Sequence, residues 1–271
     1  MIKNILKSKA TRLYLILAGF FVANALVAEF IGAKIFSLED TIGIEPLNWN
    51  IFGSERSLQL SAGVILWPVV FVLTDVINEY FGGRGVRFLS WLTVGLISYA
   101  FLMVYGAIAL IPAEWWVGQN AAAGLPDMQV AFQKIYGQGL LIIIGSITAF
   151  LVGQLTDVFV FHKIKKATGE GKIWLRATGS TLVSQFIDSF VVLYIAFKGG
   201  PELSAWLGWD GLLTSPPWDW GLFLSVGTMN YIYKAFLAVL LTPVIYAAHG
   251  IIDRWLGRET AAQMKRAAAE S

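Results

Sequence analysis

The sequence predicts an all-α integral membrane protein, built as a bundle of six transmembrane helices with both termini in the cytoplasm. Three observations predict it: an apolar composition, apolar runs of membrane-spanning length, and an uneven distribution of basic residues. Of 271 residues, 56% are hydrophobic and only 14% are charged, and the mean hydropathy is +0.65. A soluble domain is charged at about a quarter of its positions, so this composition suits a lipid environment.

Six apolar runs are long enough to cross a bilayer core, which requires about 20 residues per helix. They are continuous rather than alternating, so they predict helices and not barrel strands. The predicted helices are 13–36, 61–81, 87–111, 138–162, 178–198 and 221–248. Residues 1–252 therefore form one transmembrane domain, and residues 253–271 predict a short amphipathic cytoplasmic tail.

Basic residues predict the orientation, because loops rich in Lys and Arg stay in the cytoplasm. One side of the bundle holds Lys3, Lys7, Lys9, Arg12, Arg84, Arg87, Lys163, Lys165, Lys166, Lys172, Arg176, Arg254, Arg258, Lys265 and Arg266. The other side holds few basic residues and carries Glu39, Asp40, Glu45, Glu55, Glu114, Asp127, Glu202, Asp210 and Asp219. The bias alternates correctly through six helices, so both termini are expected to be cytoplasmic. We expect a multi-pass protein of the cytoplasmic (inner) membrane.

The outer loops are rich in tryptophan, which favours the boundary between lipid and water. The residues concerned are Trp115, Trp116, Trp206, Trp209, Trp218 and Trp220. We interpret them as a belt that contacts membrane lipid, and the alternative is a lid over an outer cavity.

Motif absences argue against several other classes of protein. The net charge is only +2, with basic residues at helix ends, so we expect no nucleic-acid partner. The chain has no cysteine, which removes disulfide and thiolate chemistry. It has no P-loop and no His-Glu-x-x-His zinc motif, and its two histidines lie near helix ends. We therefore expect no enzyme activity, no cofactor and no metal.

Three aspartates lie inside predicted spans: Asp75, Asp157 and Asp188. Asp75 and Asp157 each lie in a copy of the tetrapeptide Leu-Thr-Asp-Val, at 73–76 and 155–158. A carboxylate near the middle of a membrane helix costs about 2.5–3.5 kcal/mol on insertion scales. Such residues face a polar pathway or a pocket between helices, which points to transport.

Further polar residues follow the aspartates at helical spacing. The candidate substrate-binding residues are Asp75, Asn78, Glu79, Gln154, Asp157, Gln185, Asp188, Asn230, Tyr233 and Lys234. Lys234 is the only basic residue deep in a span and cannot neutralise every carboxylate. For Glu79, pairing with Arg84 or Arg87 is an equal alternative to a place in the pocket. For Asp157, the favoured role is functional, and pairing with His162 or Lys163 is the alternative.

Small residues and prolines predict how the helices pack. Gly145, Ala149 and Gly153 form a stripe on one helix that predicts close packing, and such stripes leave a homodimer open. Pro68 and Pro243 predict kinks in the second and sixth helices.

Several polar motifs occur together in one order: VLTDVINEYFG at 72–82, GQLTDV at 153–158, RATGST at 176–181, QFIDS at 185–189, and YIYK at 231–234 followed by Pro243. In this combination the chain resembles the queuosine precursor transporter family, six-helix membrane proteins also described as vitamin-uptake-like. The resemblance runs from the second to the sixth helix. It implies uptake of 7-cyano-7-deazaguanine, or its aminomethyl relative, across the cytoplasmic membrane to supply a modified tRNA nucleoside.

The residues suit such a small molecule. A deazaguanine presents an adjacent ring N–H and amine, and one carboxylate can accept both hydrogen bonds. We expect Asp75, Asp157 or Asp188 to accept them, with Lys234 and the amides completing the site. Phe71, Phe186, Tyr231 or Tyr233 would form the walls. A carrier that works by alternating access is the leading hypothesis, and a substrate-binding subunit of an energy-coupling-factor importer is the alternative.

Overall fold

The computed structural model describes residues 8–169, 172–209 and 216–269. The described α-helices are α1 (Lys9–Ile31), α2 (Leu38–Ile42), α3 (Trp67–Ala109), α4 (Glu114–Val117), α5 (Met128–Tyr136), α6 (Leu140–Thr168), α7 (Ile173–Leu193), α8 (Gly199–Leu207), α9 (Trp220–Leu240), α10 (Thr242–Leu256) and α11 (Arg258–Ala269). Two short 3-10 helices (Ala62–Ile65 and Ala121–Ala123) and a π-helical turn (Tyr194–Lys198) that joins α7 to α8 complete the helical structure of the described residues. The described strands are β1 (Ile35–Ser37), β2 (Trp49–Ile51), β3 (Ser54–Arg56) and β4 (Gln59–Ser61). Lys3, Lys7 and Asp210, which we used to predict the orientation, lie outside these ranges.

Five described stretches are helical, long and apolar enough to cross a membrane. They are Lys9–Ile31, Trp67–Ala109, Met128–Thr168, Ile173–Leu207 and Trp220–Leu240. Their outer faces carry large apolar side chains, and Phe20, Leu102 and Phe236 are each more than half exposed. A helix satisfies its own backbone hydrogen bonds, so such faces can lie against lipid tails. The predicted all-α membrane architecture is confirmed at this level.

The longest helix, α3, is broken at Gly82. Its 43 residues contain most of the second and the third predicted helices, and Gly82 has φ 70° and ψ 178°. This backbone conformation is almost exclusive to glycine, because a Cβ atom would clash with the neighbouring backbone. The break separates 67–81 from 83–109. The count of six spans and the cytoplasmic termini stay predictions.

Several predicted boundaries were wrong. The first helix ends at Ile31, and β1 pairs with β4 beyond it, so residues 33–36 are not helical. The second helix begins at Trp67, with Pro68 in its first turn. Proline lacks an N–H to donate, which makes it compatible with a helix start but not with an interior hydrogen bond. Pro68 therefore starts this helix and does not kink it.

Pro243 marks a full break in the sixth predicted helix. Helix α9 ends at Leu240, and α10 starts at Thr242 with Pro243 in its first turn. The prediction of a kink there is confirmed, but the consequence is larger than predicted. Helix α10 continues to Leu256, past the predicted end of the span.

The helices that carry the aspartates pack closely at glycines. A Cβ atom placed on Gly145 of α6 would lie 3.0 Å from the carbonyl oxygen of Val192 on α7. A Cβ atom on Gly83 would lie 2.8 Å from a methyl carbon of Val158 on α6. The predicted close packing is thus confirmed at Gly145, whereas a Cβ atom on Gly153 of the same stripe would make only ordinary contacts. The same contacts bring α3, α6 and α7 together around their polar faces.

Helix α11, in the predicted tail, packs against α3. Ala261 and Leu256 are buried in the same apolar cluster as Ile77 and Phe21. Lys265 of α11 donates a hydrogen bond to Asp253 at 2.9 Å, and Asp253 accepts one from Tyr80 of α3 at 2.6 Å. The tail helix is therefore part of the bundle's basic end, the end at which Lys165 and Arg176 lie.

Candidate functional site

A polar cavity lies between α3, α6 and α7. It is lined by Trp67, Phe71, Thr74, Phe150, Gly153, Gln154, Asp157, Thr181, Ser184, Gln185 and Asp188. Its atom-free space is about 340 Å³, part of which is open to the outside. The enclosed part has room for roughly one water molecule. The polar lining comes from three separate helices, so it exists only in the folded bundle.

Two hydrogen bonds connect the helices at the cavity wall. The hydroxyl of Thr74 donates to the side-chain oxygen of Gln154 at 3.1 Å, which joins α3 to α6. The hydroxyl of Ser184 donates to Oδ1 of Asp157 at 3.3 Å, which joins α7 to α6. Each hydroxyl also donates to a carbonyl oxygen of its own helix, so its hydrogen is shared between two acceptors. They orient the Gln154 and Asp157 side chains.

The cavity wall also contains acceptor atoms that have no partner among the described residues. Oδ2 of Asp157 and the side-chain oxygen of Gln185 are buried and accept no hydrogen bond there. A buried acceptor without a donor loses the free energy of its hydration without compensation. A molecule rich in N–H groups would supply the missing donors. The site is therefore suited to a ligand that donates hydrogen bonds.

Asp188 and Lys234 form an ion pair between α7 and α9. Asp188 lines the cavity, and Lys234 adjoins the cavity through it. Their side chains are 20% and 12% exposed, so water screens the pair only weakly. The predicted residues Gln154, Asp157, Gln185 and Asp188 are thus brought together, with Lys234 beside them.

The three predicted residues of α3 lie outside the cavity lining. Asp75 is 2% exposed, and its Oδ1 has no hydrogen-bond partner among the described residues. The side-chain oxygen of Asn78 lies 3.0 Å from Nε2 of His162 on α6. Asp75 immediately follows Thr74, which does line the cavity. These residues continue the polar path from the cavity toward the basic end.

Glu79 is held by two cations. Arg176 of α7 donates to it at 2.8 Å, and Lys165 of α6 at 3.2 Å. The alternative prediction, that Glu79 pairs with Arg84 or Arg87, was wrong. Because the helix breaks at Gly82, those arginines do not continue the face that carries Glu79. The cations come instead from the end of α6 and the start of α7.

Asp157 also has other partners than expected. His162, proposed from sequence as its neighbour, contacts Asn78, whereas Asp157 accepts its hydrogen bond from Ser184. His162 lies five residues further along α6, which is more than one helical turn and rotates it away from Asp157.

The predicted residues of α9, Asn230 and Tyr233, are half-buried and do not line the cavity. The expected wall residue Phe186 is about half exposed and packs edge-on against Tyr231. Phe186 therefore lies on another side of α7, against Tyr231 of α9.

The aromatic walls come from α3 and α6. Phe71 was expected there, but Trp67 and Phe150 were missed. The Trp67 and Phe150 rings are 5.6 Å apart between centroids, and the rings of Trp67 and Phe71 are stacked at 6.3 Å. The sequence signal for Trp67 was its position just before Pro68, which marks a helix start.

Apolar helices that enclose a small polar cavity define a multi-pass membrane protein. Comparison with known proteins assigns it to the transporters. Residues 61–248 match the family described as "Putative vitamin uptake transporter", and this is well over half of the chain. The chain belongs to that family. The match covers every residue that lines the cavity.

Three relatives are similar over most of their length. A "Probable queuosine precursor transporter" of Bacillus subtilis (strain 168) is 27% identical over 72% of this chain and 74% of its own. A protein of Haemophilus influenzae with the same name is 22% identical over 73% of this chain and 71% of its own. The "Queuosine precursor transporter" of Escherichia coli (strain K12) is 23% identical over 68% of this chain and 70% of its own. No solved structure matches the chain.

Proposed function

We propose that this protein imports a queuosine precursor, 7-cyano-7-deazaguanine, across the cytoplasmic membrane by alternating access. The names of the three relatives support the class of substrate. The family match supports transport. In this proposal α3 crosses the membrane twice, once on each side of Gly82, and the basic end of the bundle faces the cytoplasm.

The single observation that carries the proposal is the unpartnered Oδ2 of Asp157 in the cavity wall. A deazaguanine offers a ring N–H beside an exocyclic amine, and a carboxylate accepts both in a bidentate pair. Ser184 keeps Oδ1 of Asp157 in place at 3.3 Å. Asp157 would therefore bind the guanine-like edge of the substrate.

The remaining lining fits the rest of a planar base. The unpartnered oxygen of Gln185 accepts a further N–H group, and the amide nitrogen of Gln154 donates to the carbonyl oxygen of the base. Trp67, Phe71 and Phe150 offer apolar surfaces for the ring faces. Asp75, Asn78 and Glu79 lie on the path toward the cytoplasm, and Asn230 and Tyr233 lie beyond the Asp188–Lys234 pair.

The cavity in this conformation is too small for a two-ring base, since it has room for roughly one water molecule. A substrate therefore enters only when the helices around the cavity move apart. The stacked Trp67 and Phe71 rings form part of the cavity wall. We interpret the conformation as a closed state of the transport cycle.

Binding and uptake by an Asp157→Asn variant test the proposal. An amide offers an N–H where the substrate also has N–H groups, so affinity should fall about 100-fold, as for the loss of a charged hydrogen-bonding partner. Asp40→Asn, the same change at an exposed outer position, is the control and should behave as wild type. Unchanged affinity of the Asp157 variant would contradict this assignment.

Uptake into vesicles containing only this polypeptide, without ATP, distinguishes a stand-alone carrier from a subunit of an energy-coupling-factor importer. Uptake there supports the carrier. Binding without uptake, restored by added ATPase partners, would favour the importer subunit.

A further inference from the structure

The buried acids of the bundle differ in how they are neutralised. Glu79 is paired with Lys165 and Arg176, and Asp188 is paired with Lys234. Asp75 forms no ion pair within the part of the chain that the structure describes, and neither does Asp157. One carboxylate oxygen of each also accepts no hydrogen bond there. Of these four acids, Asp75 and Asp157 are therefore the two that have no cation partner among the described residues.

The charged side chains around Asp75 do not balance, because the described carboxylates outnumber the described cations. Charged groups that interact electrostatically with Asp75 include Asp157 on α6, Glu79 on its own helix and Arg176 on α7. With Lys165, the second cation on Glu79, three carboxyl groups face two cations among the described residues. When the site closes and excludes water, the cluster is neutral only if it gains one positive charge. A buried carboxyl group without a cation is neutralised most simply by a proton.

The titratable groups on the other neighbouring elements are engaged elsewhere. His162 of α6 contacts Asn78, and Tyr14 of α1 donates to the carbonyl of Gly85 at 3.0 Å. The α10 residues His249 and Asp253 meet the hydroxyl of Tyr80. Lys265 of α11 pairs with Asp253. None of these contacts supplies a cation to Asp75.

The positions of the two acids separate their roles. Asp157 lines the cavity, whereas Asp75 lies behind the lining, next to Thr74, and is 2% exposed. We propose that Asp75 is the proton-binding site of a proton-coupled carrier. The inference rests on the proposed function, because Asp157 is occupied by the substrate's N–H groups and Asp75 takes the proton.

The coupled step is a simple proton transfer. While the site is open to the outside, the Asp75 carboxylate is hydrated and takes one proton from the external water, which forms a neutral carboxylic acid. Closure over the substrate then buries no unpaired charge. When the inner end opens, water re-enters, and the carboxyl group releases the same proton to the cytoplasm. Substrate and proton therefore cross together.

Proton movement in reconstituted wild-type protein tests the coupling directly. Liposomes would contain a pH-sensitive dye, and 7-cyano-7-deazaguanine would be added outside. The lumen should acidify as the substrate enters. At one proton per substrate and zero membrane potential, an outside pH one unit lower should drive about a tenfold accumulation. A protonophore should abolish both accumulation and acidification.

The variant Asp75→Asn replaces the carboxyl group with a neutral group of the same shape. It should still bind the substrate and exchange it across the membrane, but it should lose both accumulation and lumenal acidification. Asp75→Glu, which keeps an acid, should retain acidification, and Asp40→Asn is the matched control at an exposed site. If the Asn variant does not fold, the wild-type dye measurement decides by itself.

Substrate entry into wild-type liposomes without acidification would overturn the coupling and leave the proposed function intact. Accumulation driven by a Na⁺ gradient alone would do the same. Full accumulation by Asp75→Asn would show that another group carries the proton. If wild-type protein does not bind the deazaguanine at all, the proposed function fails and this inference fails with it.

Discussion

Lys234 on α9 forms an ion pair with Asp188 on α7, beside the polar cavity. The pair joins the cavity lining to α9. It also leaves Lys234 unable to neutralise the other buried acids. Its removal should therefore affect the stability of the bundle as well as the site.

Replacement of Lys234 by Met should leave the Asp188 carboxylate buried without its cation. Breaking a buried pair in this way destabilises a protein by about 3 kcal/mol, at the lower end of the range because the pair is partly exposed. The double variant Lys234→Met, Asp188→Asn removes both charges and should recover most of that loss. Thermal unfolding in detergent measures both, and equal unfolding temperatures for the two variants would contradict the prediction.

Gly153 should control the volume of the cavity. A Cβ atom there would lie 3.6 Å from Cβ of Asp188, an ordinary contact, so Gly153→Ala should be tolerated. The larger side chain of Gly153→Leu extends into the cavity and should abolish substrate binding. Gly95→Leu is the matched control, because nothing lies within 4 Å of that position. Binding measured by calorimetry should distinguish the two leucine variants, and normal binding by Gly153→Leu would place the substrate elsewhere.

Gly82 should be required for the break in α3. At φ 70° and ψ 178° any residue with a Cβ atom is strained, at a cost of about 1–3 kcal/mol. We expect Gly82→Ala to lower the unfolding temperature and to reduce uptake. Gly95→Ala in the regular part of the same helix has open space and should be neutral or slightly stabilising. An unchanged unfolding temperature for Gly82→Ala would show that the helix does not need this conformation.

Docking of the tail helix α11 should weaken in acid. Burial alone would raise the pKa of Asp253, but hydrogen bonds from Tyr80 and Lys265 outweigh it and hold that pKa below its ordinary value of 3.8. The carboxylate therefore stabilises docking fully above the ordinary pKa, and this contribution is lost as pH falls through the lowered one. Hydrogen exchange of α11 should accelerate over that acidic range.

Two variants check the origin of this effect. Lys265→Met should accelerate exchange of α11 at neutral pH, because it removes the cation on Asp253. Arg266→Met, at the exposed neighbouring position, should not. Equal exchange in both variants would show that apolar packing of Ala261 and Leu256 alone holds the tail.

The membrane-spanning segments were largely predictable, because lipid imposes a simple rule on composition. Long apolar runs must be helical there, and all five described spans fall on predicted helices. The strands after α1 were not predicted, since they lie in a loop where no membrane constrains the backbone. The start of α3 at Trp67 was missed because apolar residues continue upstream of it.

The candidate site was predictable only in part. Gln154, Asp157, Gln185 and Asp188 were proposed from their helical spacing, and they do share one cavity. Asn230 and Tyr233 met the same criterion and lie outside it. Spacing defines the polar face of a single helix, but it carries no information about which neighbour that face meets.

The sequence by itself determined that acids would be buried within apolar helices, because each acid has apolar neighbours on both sides along the chain. The tertiary structure decided which of those acids are neutralised. Glu79 receives cations from α6 and α7, Asp188 receives one from α9, and Asp75 receives none within the described chain. Ion pairing depends on distances of a few ångströms between helices, and those distances follow from how the whole bundle packs.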